Sequence, residues 1–435
     1  MSRRPSISAW IFTFILLFAL GTRLWRLGIP DGYYFDEVYH AVTAKLILHN
    51  DPRAYEWTNP PPEPNTAVDW LHPPLAKLTQ AAGMKIFGEN GFGWRISAAV
   101  FGTGTIVLTY FLAIELGLPV SVALLAMGLL SLDGLALTTS RIAMNDAHVT
   151  FFFVLTAWLY RRWKKRPTEI RTLATAAAAG LAAASKWSGV FISGVIVIDQ
   201  LIGLVLDRHH WRRKIAPFLS LLGTLIILVP SLYLLSYSQM FAQGKTWQHF
   251  RELHRQIWWY QTNLKATHPY QSTPLQWVLD LRPVYVYADY DEPGVLRNIY
   301  MLGNPLIFWG GAAAALWSLS QWLILLQQRQ PTEKVKREAE QWRFLLLAYL
   351  LPWVPWMASP RIMFFYHYLP AVPFLCLLLA WQLNRLARSH SWGKWLAVGF
   401  VALTAAAFLA FFPNWTALPV PESWGQLYFL LPGWR

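Results

Sequence analysis

The sequence predicts an all-α polytopic membrane protein, and three observations predict it. Hydrophobic residues make up 55% of the 435-residue chain and charged residues only 14%, against about 25% charged in a soluble globular chain. The apolar residues gather into runs near the ~20 residues that cross a bilayer as a helix. Between the runs, dense basic clusters recur in alternate loops, the pattern that orients a membrane protein.

About eleven stretches read as spans, near 7–27, 95–114, 119–137, 147–160, 171–185, 188–206, 215–236, 301–327, 343–358, 364–383 and 396–412. The first follows Arg3 and Arg4 and leads into Arg23, Trp25 and Arg26. No small-residue cleavage site follows its apolar core, so it reads as a retained anchor. Residues 74–88 carry Lys77 and Lys85 and precede Glu89, which suits an interfacial helix.

With a cytoplasmic N terminus, the cluster Arg161 to Arg166, Arg208 with Arg212-Arg213-Lys214, Arg329 to Arg337, and Arg385 to Lys394 all fall on the cytoplasmic side. A missed span breaks that alternation, so an odd count is expected. The tract 327–341 reads as a solvated loop. Two long segments, 28–94 and 237–300, then face outward, with the tail from Pro413 to Arg435. No repeat is evident, and 1–435 reads as a single transmembrane domain with no separate soluble domain.

A net charge of +14 raises the question of nucleic acid, but charge confined to short inter-span loops excludes that class. The lone Cys376 excludes an intramolecular disulfide and a cysteine metal cluster. No metal-ligand spacing, P-loop or dinucleotide glycine pattern occurs, so any group donor is not a nucleotide on a Rossmann-type domain.

Chemistry-bearing residues concentrate at the external ends of spans. Asp36-Glu37 lies among Tyr33, Tyr34, Phe35 and Tyr39, just past the first span. Adjacent carboxylates in an aromatic setting are costly to desolvate, and burial raises a carboxyl towards the range of a general base. Helix-start acids stabilised by the N-terminal dipole explain the pair equally well. Next, Asp69-Trp70-Leu71-His72-Pro73-Pro74-Leu75-Ala76-Lys77 predicts a helix starting at the second proline. Lys77 there suits an anion contact or a snorkelling interfacial lysine. Arg141, Asp146 and His148 share one external turn, either as functional groups or as an Arg141–Asp146 pair closing it. Lys186-Trp187-Ser188-Gly189 interrupts an apolar hairpin, where the lysine suits a lipid phosphate or marks topology. The aromatic stretch Trp258 to Tyr287, with His268 and Arg282, suits sugar and peptide contact or an interfacial belt. Arg361 precedes Phe365-Tyr366-His367-Tyr368-Leu369-Pro370, where His367 suits a structural role.

Together these segments resemble the protein O-mannosyltransferase family, the polyprenyl-phosphate-mannose-dependent enzymes of the GT-C glycosyltransferase class. The matching pieces are Phe35-Asp36-Glu37, His72-Pro73-Pro74-Leu75-Ala76-Lys77, Arg141 with Asp146, Lys186-Trp187-Ser188-Gly189, Thr267-His268-Pro269-Tyr270 with Arg282-Pro283, and Tyr366-His367-Tyr368-Leu369-Pro370. They occur in the family's order and cover most of the chain. The resemblance implies a GT-C architecture and transfer of mannose from polyprenyl-phosphate-mannose to Ser/Thr hydroxyls of exported proteins, with inversion. It implies Asp36 as the base on the acceptor hydroxyl, with Glu37 supporting it or holding the acceptor. Arg141 and Lys186 are candidates for the donor phosphate, and His72, Lys77, Asp146 and His268 are further site candidates. No cofactor is implied, since the lipid-linked sugar is a substrate, and a divalent ion is left open. The partners are the donor lipid, a Ser/Thr-containing protein and the membrane. The enzyme sits in the cell membrane with its site on the external side.

The chain departs from the family at three points. Segment 237–300 is too short for the β-trefoil module of eukaryotic members, which points to the bacterial type. Ala76 stands where glycine is usual, and Trp277 keeps one tryptophan of a motif that often has two. The alternatives are a related transferase for another sugar or a lipid or glycan acceptor, and a lipid-sugar transporter. The transporter fits poorly, because the ionisable residues cluster at span ends and no halves repeat.

Overall fold

The structure, a computed structural model, describes residues 6–207, 211–328 and 330–435. Arg3, Arg4, Arg208 and Arg329 of the charge reading lie outside them. Helix α1 (Ile7–Leu24) starts where the Ser6 hydroxyl accepts from the Ala9 N–H. The first long segment holds α2 (Glu37–Leu48) and α3 (Leu75–Phe87), which pack on each other. As the double proline predicts, α3 starts directly behind Pro74.

The Asn90-capped α4 (Gly91–Leu116) follows. The expected span 119–137 is broken into α5 (Val120–Ser131) and α6 (Gly134–Thr139). The cause is Asp133, whose carboxylate accepts from Ala136 N at 2.8 Å and Asn304 N at 3.0 Å. Gly134 is required there, because a Cβ would lie 2.1 Å from the Trp415 ring and 2.3 Å from the Leu302 carbonyl. Helix α7 (Asp146–Lys165) outruns its expected span, so Arg162, Lys164 and Lys165 form its last turn, where the helix dipole favours cations.

Next come α8 (Glu169–Ser185), α9 (Phe191–Leu206), α10 (Trp211–Ser236), the short α11 (Ser238–Ala242), α12 (Trp247–Asn263) and α13 (Pro274–Val278). The second long segment then departs from all-helical structure. Strands β1 (Val284–Asp289) and β2 (Val295–Met301) pair antiparallel, and β3 (Val420–Pro421) of the tail adds to β2. Val284-Tyr285-Val286-Tyr287 has the two-residue period of a strand, with a bulge between Tyr285 and Tyr287. The bundle closes with α14 (Pro305–Leu326), α15 (Glu333–Leu350), α16 (Val372–Ser389) and α17 (Gly393–Thr416), the last packing on β2.

Two expectations fail at α15. Tract 327–341 is helical from Glu333, and Gln341 and Trp342 are buried, so it is not simply a solvated loop. The expected span 343–358 stops at Leu350, ahead of Pro352.

Among the described residues, seven helical segments are long and apolar enough to cross a membrane: Ile7–Leu24, Gly91–Leu116, Trp187–Leu206, Trp211–Ser236, Pro305–Leu326, Phe365–Ser389 and Gly393–Thr416. The remaining expected spans fall on α5 with α6, α7, α8 and α15, which are shorter or charged at one end. Exposed Phe14, Ile226, Ile227, Leu316 and Leu409 face outward from these helices, as lipid contact demands.

The long segments and the tail share one end of the bundle. Arg282 donates to the carbonyls of Pro269, Gly433 and Arg435, and Trp434 Nε1 donates to Asp280 O at 2.6 Å. At the other end the basic clusters bind acids. Lys165 meets Glu115 and Arg161 meets Glu340, both at 2.8 Å, and Arg385 meets Glu338.

Candidate active site

Asp36 directly precedes α2 without a capping hydrogen bond and Glu37 begins the helix, and the two carboxylates part company. Phe35 takes a left-handed φ of 50° at the turn. Glu37 is fully buried and accepts from Arg95 Nε and Nη2 at 2.8 Å, Ala143 N at 2.9 Å and Trp94 Nε1 at 3.2 Å. Arg95 also donates to the carbonyls of Leu27, Pro30 and Gly32. Both Glu37 oxygens are therefore taken by protein donors, and the pair ties α2 to α4 and to the loop after α1.

Asp36 instead stays half-buried within electrostatic reach of His40, Asp146, Lys186, Asp69 and the Tyr366 hydroxyl. Burial pushes its carboxyl up, His40 and Lys186 pull it down, Asp146 and Asp69 push it up again, and the balance is about 6. Lys186 Nζ lies 2.8 Å from Asp146 Oδ1 and 5.4 Å from the Tyr366 ring centre. Lys186 sits in the turn after α8. Gly189 lets that turn press on α8, since a Cβ there would lie 2.1 Å from the Ala182 carbonyl. Arg361 is half-buried, and its charge, like those of Asp36 and Asp146, acts on the Tyr366 hydroxyl.

Behind this group lies a cluster on Asp69. Lys77 Nζ is 3.0 Å from Oδ2, His72 Nδ1 is 2.9 Å from Oδ1, and His40 Nδ1 is 2.8 Å from Oδ2. Burial pushes the Asp69 carboxyl up, but Lys77, His72 and His40 together hold it well below the usual range. Burial holds His72 down at about 4, against the pull of Asp69, so its imidazole is neutral at physiological pH. Lys77 is 2% exposed, which overturns the snorkelling reading. His40, Asp69 and His72 offer a metal-like donor set within 4.8 Å of one another. The donors already face one another at 2.8 and 2.9 Å, and a cation would displace the Lys77 ammonium. The cluster is therefore a packed polar brace between α2 and α3.

The structure brings Asp36, Asp146, Lys186, His72 and Lys77 together, and it does not bring Arg141. Arg141 caps the end of α1, donating to the carbonyls of Thr22, Arg23 and Trp25 at 2.8, 3.1 and 2.8 Å. The Arg141–Asp146 pair is not formed: Asp146 pairs with Lys186, and the Arg141 Nη1 and Nη2 atoms donate at the end of α1. His268 is exposed at the rim, 5.3 Å from the Phe364 ring. His367 has the structural role expected of it: it stacks on Trp277 and meets Trp356 edge-on. Reasoning from sequence gave no site or support role to His40 or Arg95, and it singled out the segments of Asp69, Arg361 and Tyr366 without assigning those three residues a role. His40 was findable, because it follows Asp36 by four residues on a helix and so shares its face. Arg95 carried no local signal.

Two family models match the chain, "Dolichyl-phosphate-mannose-protein mannosyltransferase" over residues 13–243 and "C-terminal four TMM region of protein-O-mannosyltransferase" over 246–430. The chain belongs to the protein O-mannosyltransferase family. It is 27% identical to a polyprenol-phosphate-mannose–protein mannosyltransferase of Corynebacterium glutamicum, covering 99% of this chain and 94% of that one. A Mycobacterium tuberculosis protein of the same name is 26% identical over 99% of this chain and 92% of its own length. Among solved structures, the Saccharomyces cerevisiae Pmt1-Pmt2 complex bound to the sugar donor matches 100% of this chain and 93% of its own, with a TM-score of 0.81 at 16% identity. ArnT of Cupriavidus metallidurans matches 95% of this chain and 73% of its own, with a TM-score of 0.57 at 12% identity. These likenesses show the GT-C fold of a multi-pass mannosyltransferase.

Proposed function

We propose that this chain transfers mannose from a polyprenyl-phosphate-mannose donor to Ser/Thr hydroxyls of exported proteins, with inversion at the anomeric carbon. Family membership and the names of full-length relatives support the donor and the protein acceptor. The observation that carries the mechanism is Asp36, a carboxylate raised to about 6 beside the lysine of an otherwise buried ion pair.

Asp36 takes the proton of the acceptor hydroxyl as its oxygen bonds to the anomeric carbon. The bond from that carbon to the phosphate oxygen breaks, and its electrons leave on the polyprenyl phosphate. Lys186 and Arg361 are the cations placed to stabilise that developing charge. Glu37 acts as a positioning residue, fixing the start of α2 and so the aim of Asp36. His40, braced by Asp69, adds a polar group whose charge acts on Asp36.

The test is purified protein given defined polyprenyl-phosphate mannose and a Ser/Thr peptide. Mannosyl peptide is the expected product, and strict use of a carrier with another sugar contradicts the reading. In the same assay Lys186→Met should lose about a hundredfold or more in rate, the scale for removing one charge-stabilising donor. Lys186→Arg should recover part of it.

The site faces outward in this reading, with the basic clusters cytoplasmic. Their collection at the end of the bundle opposite Asp36 supports that, given the positive-inside bias. In intact cells a cysteine at His268 should be labelled by an impermeant reagent and one at Lys164 should not. The reverse pattern contradicts the sidedness.

A further inference from the structure

A basic region lies at the far end of the bundle from Asp36. A cavity of about 860 Å3 opens there between α9 and α10 on one wall and α14 on the other. Helix α15 packs on both α9 and α14, whereas α10 and α14 make at most glancing contact. The cavity is the gap those helices leave, and its volume lies within the usual range for small-molecule sites.

Its lining has two characters. Among the described residues, eight basic side chains line it against two acidic ones. Behind the lining, the fully buried Asp199 accepts from Lys164 Nζ at 2.7 Å and Arg343 Nε at 2.8 Å, while Glu340 of the lining meets Arg161 at 2.8 Å and Lys164 at 3.0 Å. Those three cations outnumber the two carboxylates they meet. Nearer the solvent, Arg213 and Arg337 have no carboxylate partner among the described residues. The opposing wall is apolar, with Trp322, Leu325 and Leu326 on α14 facing Leu206 and Pro217. Two buried donors at this site, Arg161 Nε and Trp322 Nε1, have no acceptor.

A surplus of cations beside an apolar wall that ends in the membrane suits an amphiphile with an anionic head. A soluble phosphate leaves the apolar wall unused, and a zwitterionic lipid brings its own cation into a site already positive. We propose that this cavity binds the phosphate headgroup of an anionic phospholipid, from the leaflet opposite the transfer site. Arg213, Arg337 and Arg343 meet the phosphate, and the acyl chains leave along α14. Basic pockets between helices at a membrane face are suited to such headgroups, and guanidinium pairs well with phosphate oxygens. Occupancy closes the seam between α10 and α14, and it is independent of which sugar the other end transfers.

The experiment is native mass spectrometry of the full-length protein with an equimolar mixture of phosphatidylglycerol and phosphatidylcholine. Arg213→Gln with Arg337→Gln is the variant, since both side chains are exposed and the network on Asp199 and Glu340 stays intact. Wild type should retain phosphatidylglycerol preferentially, and the double variant should lose about tenfold or more of that preference, at roughly fivefold per cation. Arg337→Lys should keep most of it, which separates charge from misfolding. Excess glycerol phosphate should not displace the lipid. Equal retention of the two lipids overturns the proposal, as does an unchanged preference in the double variant. Displacement by glycerol phosphate also overturns it and makes the cavity a soluble-anion site. None of these readouts uses mannosyl transfer, so failure here leaves the proposed reaction standing, and failure of the reaction leaves this site standing.

Discussion

Asp36→Asn is expected to lower transfer by about a thousandfold, within the range for loss of a general base. Asparagine keeps the size of the side chain and an acceptor oxygen, but it cannot take the hydroxyl proton. Folding should survive. The Asp36 carboxyl sits above the ordinary carboxylate range, at about 6, because burial disfavours its charge. A raised acid costs stability when ionised, so at neutral pH the neutral asparagine should melt no lower than wild type. The same value sets the pH profile. The base must be deprotonated, so wild-type transfer should rise with pH through about 6 and fall about tenfold per unit below it. Near-normal turnover in the variant, with the protein folded, would remove Asp36 from the mechanism.

The largest effect on stability is expected at Arg95, far in sequence from the carboxylate it serves. Arg95→Met leaves Glu37 at 0% exposure without its counter-charge and strips the carbonyls of Leu27, Pro30 and Gly32 of their donor. Breaking one partner of a buried ion pair costs about 3–5 kcal/mol. The loop before Asp36 and the start of α2 both hang from this residue, so activity should fall with stability. Adding Glu37→Gln to Arg95→Met should recover part of the loss, because the uncompensated charge goes while the carbonyls stay orphaned. Thermal unfolding in nanodiscs checks both. A single variant as stable as wild type would show that the pair does not hold the site.

These two residues also show how far sequence alone reaches. The Asp36 pair stood out because its carboxylates follow a span immediately, and a span's end fixes depth and side. Seven of the expected spans followed from hydropathy, and the expected span 119–137 failed where one polar residue redirected the backbone. Asp133 splits α5 from α6 by capping the next turn, and no window of hydrophobicity detects a cap. Of the two readings of Lys77 the anion contact holds and the snorkelling one fails, although a lone lysine in an amphipathic helix normally reaches for water. Its actual partner, Asp69, lies eight residues earlier across a double-proline turn. Arg141 shares a turn with Asp146, yet its Nη1 and Nη2 atoms turn to the end of α1. Those choices depend on which helices pack together, and partners such as Arg95 and Glu37 meet only once they do. The strand hairpin was legible in the alternation of Val284 to Tyr287, but its aromatics drew attention first.

The account rests on one carboxylate activating one hydroxyl, with no covalent sugar on the protein. Its most direct test is the anomeric configuration of mannose on the product peptide, read by NMR after transfer from a β-linked polyprenyl-phosphate donor. A single in-line displacement at the anomeric carbon, with Asp36 as the base, predicts an α-linked mannosyl peptide from the first turnover. A β-linked product would require two displacements and a nucleophile on the enzyme, and would contradict the account.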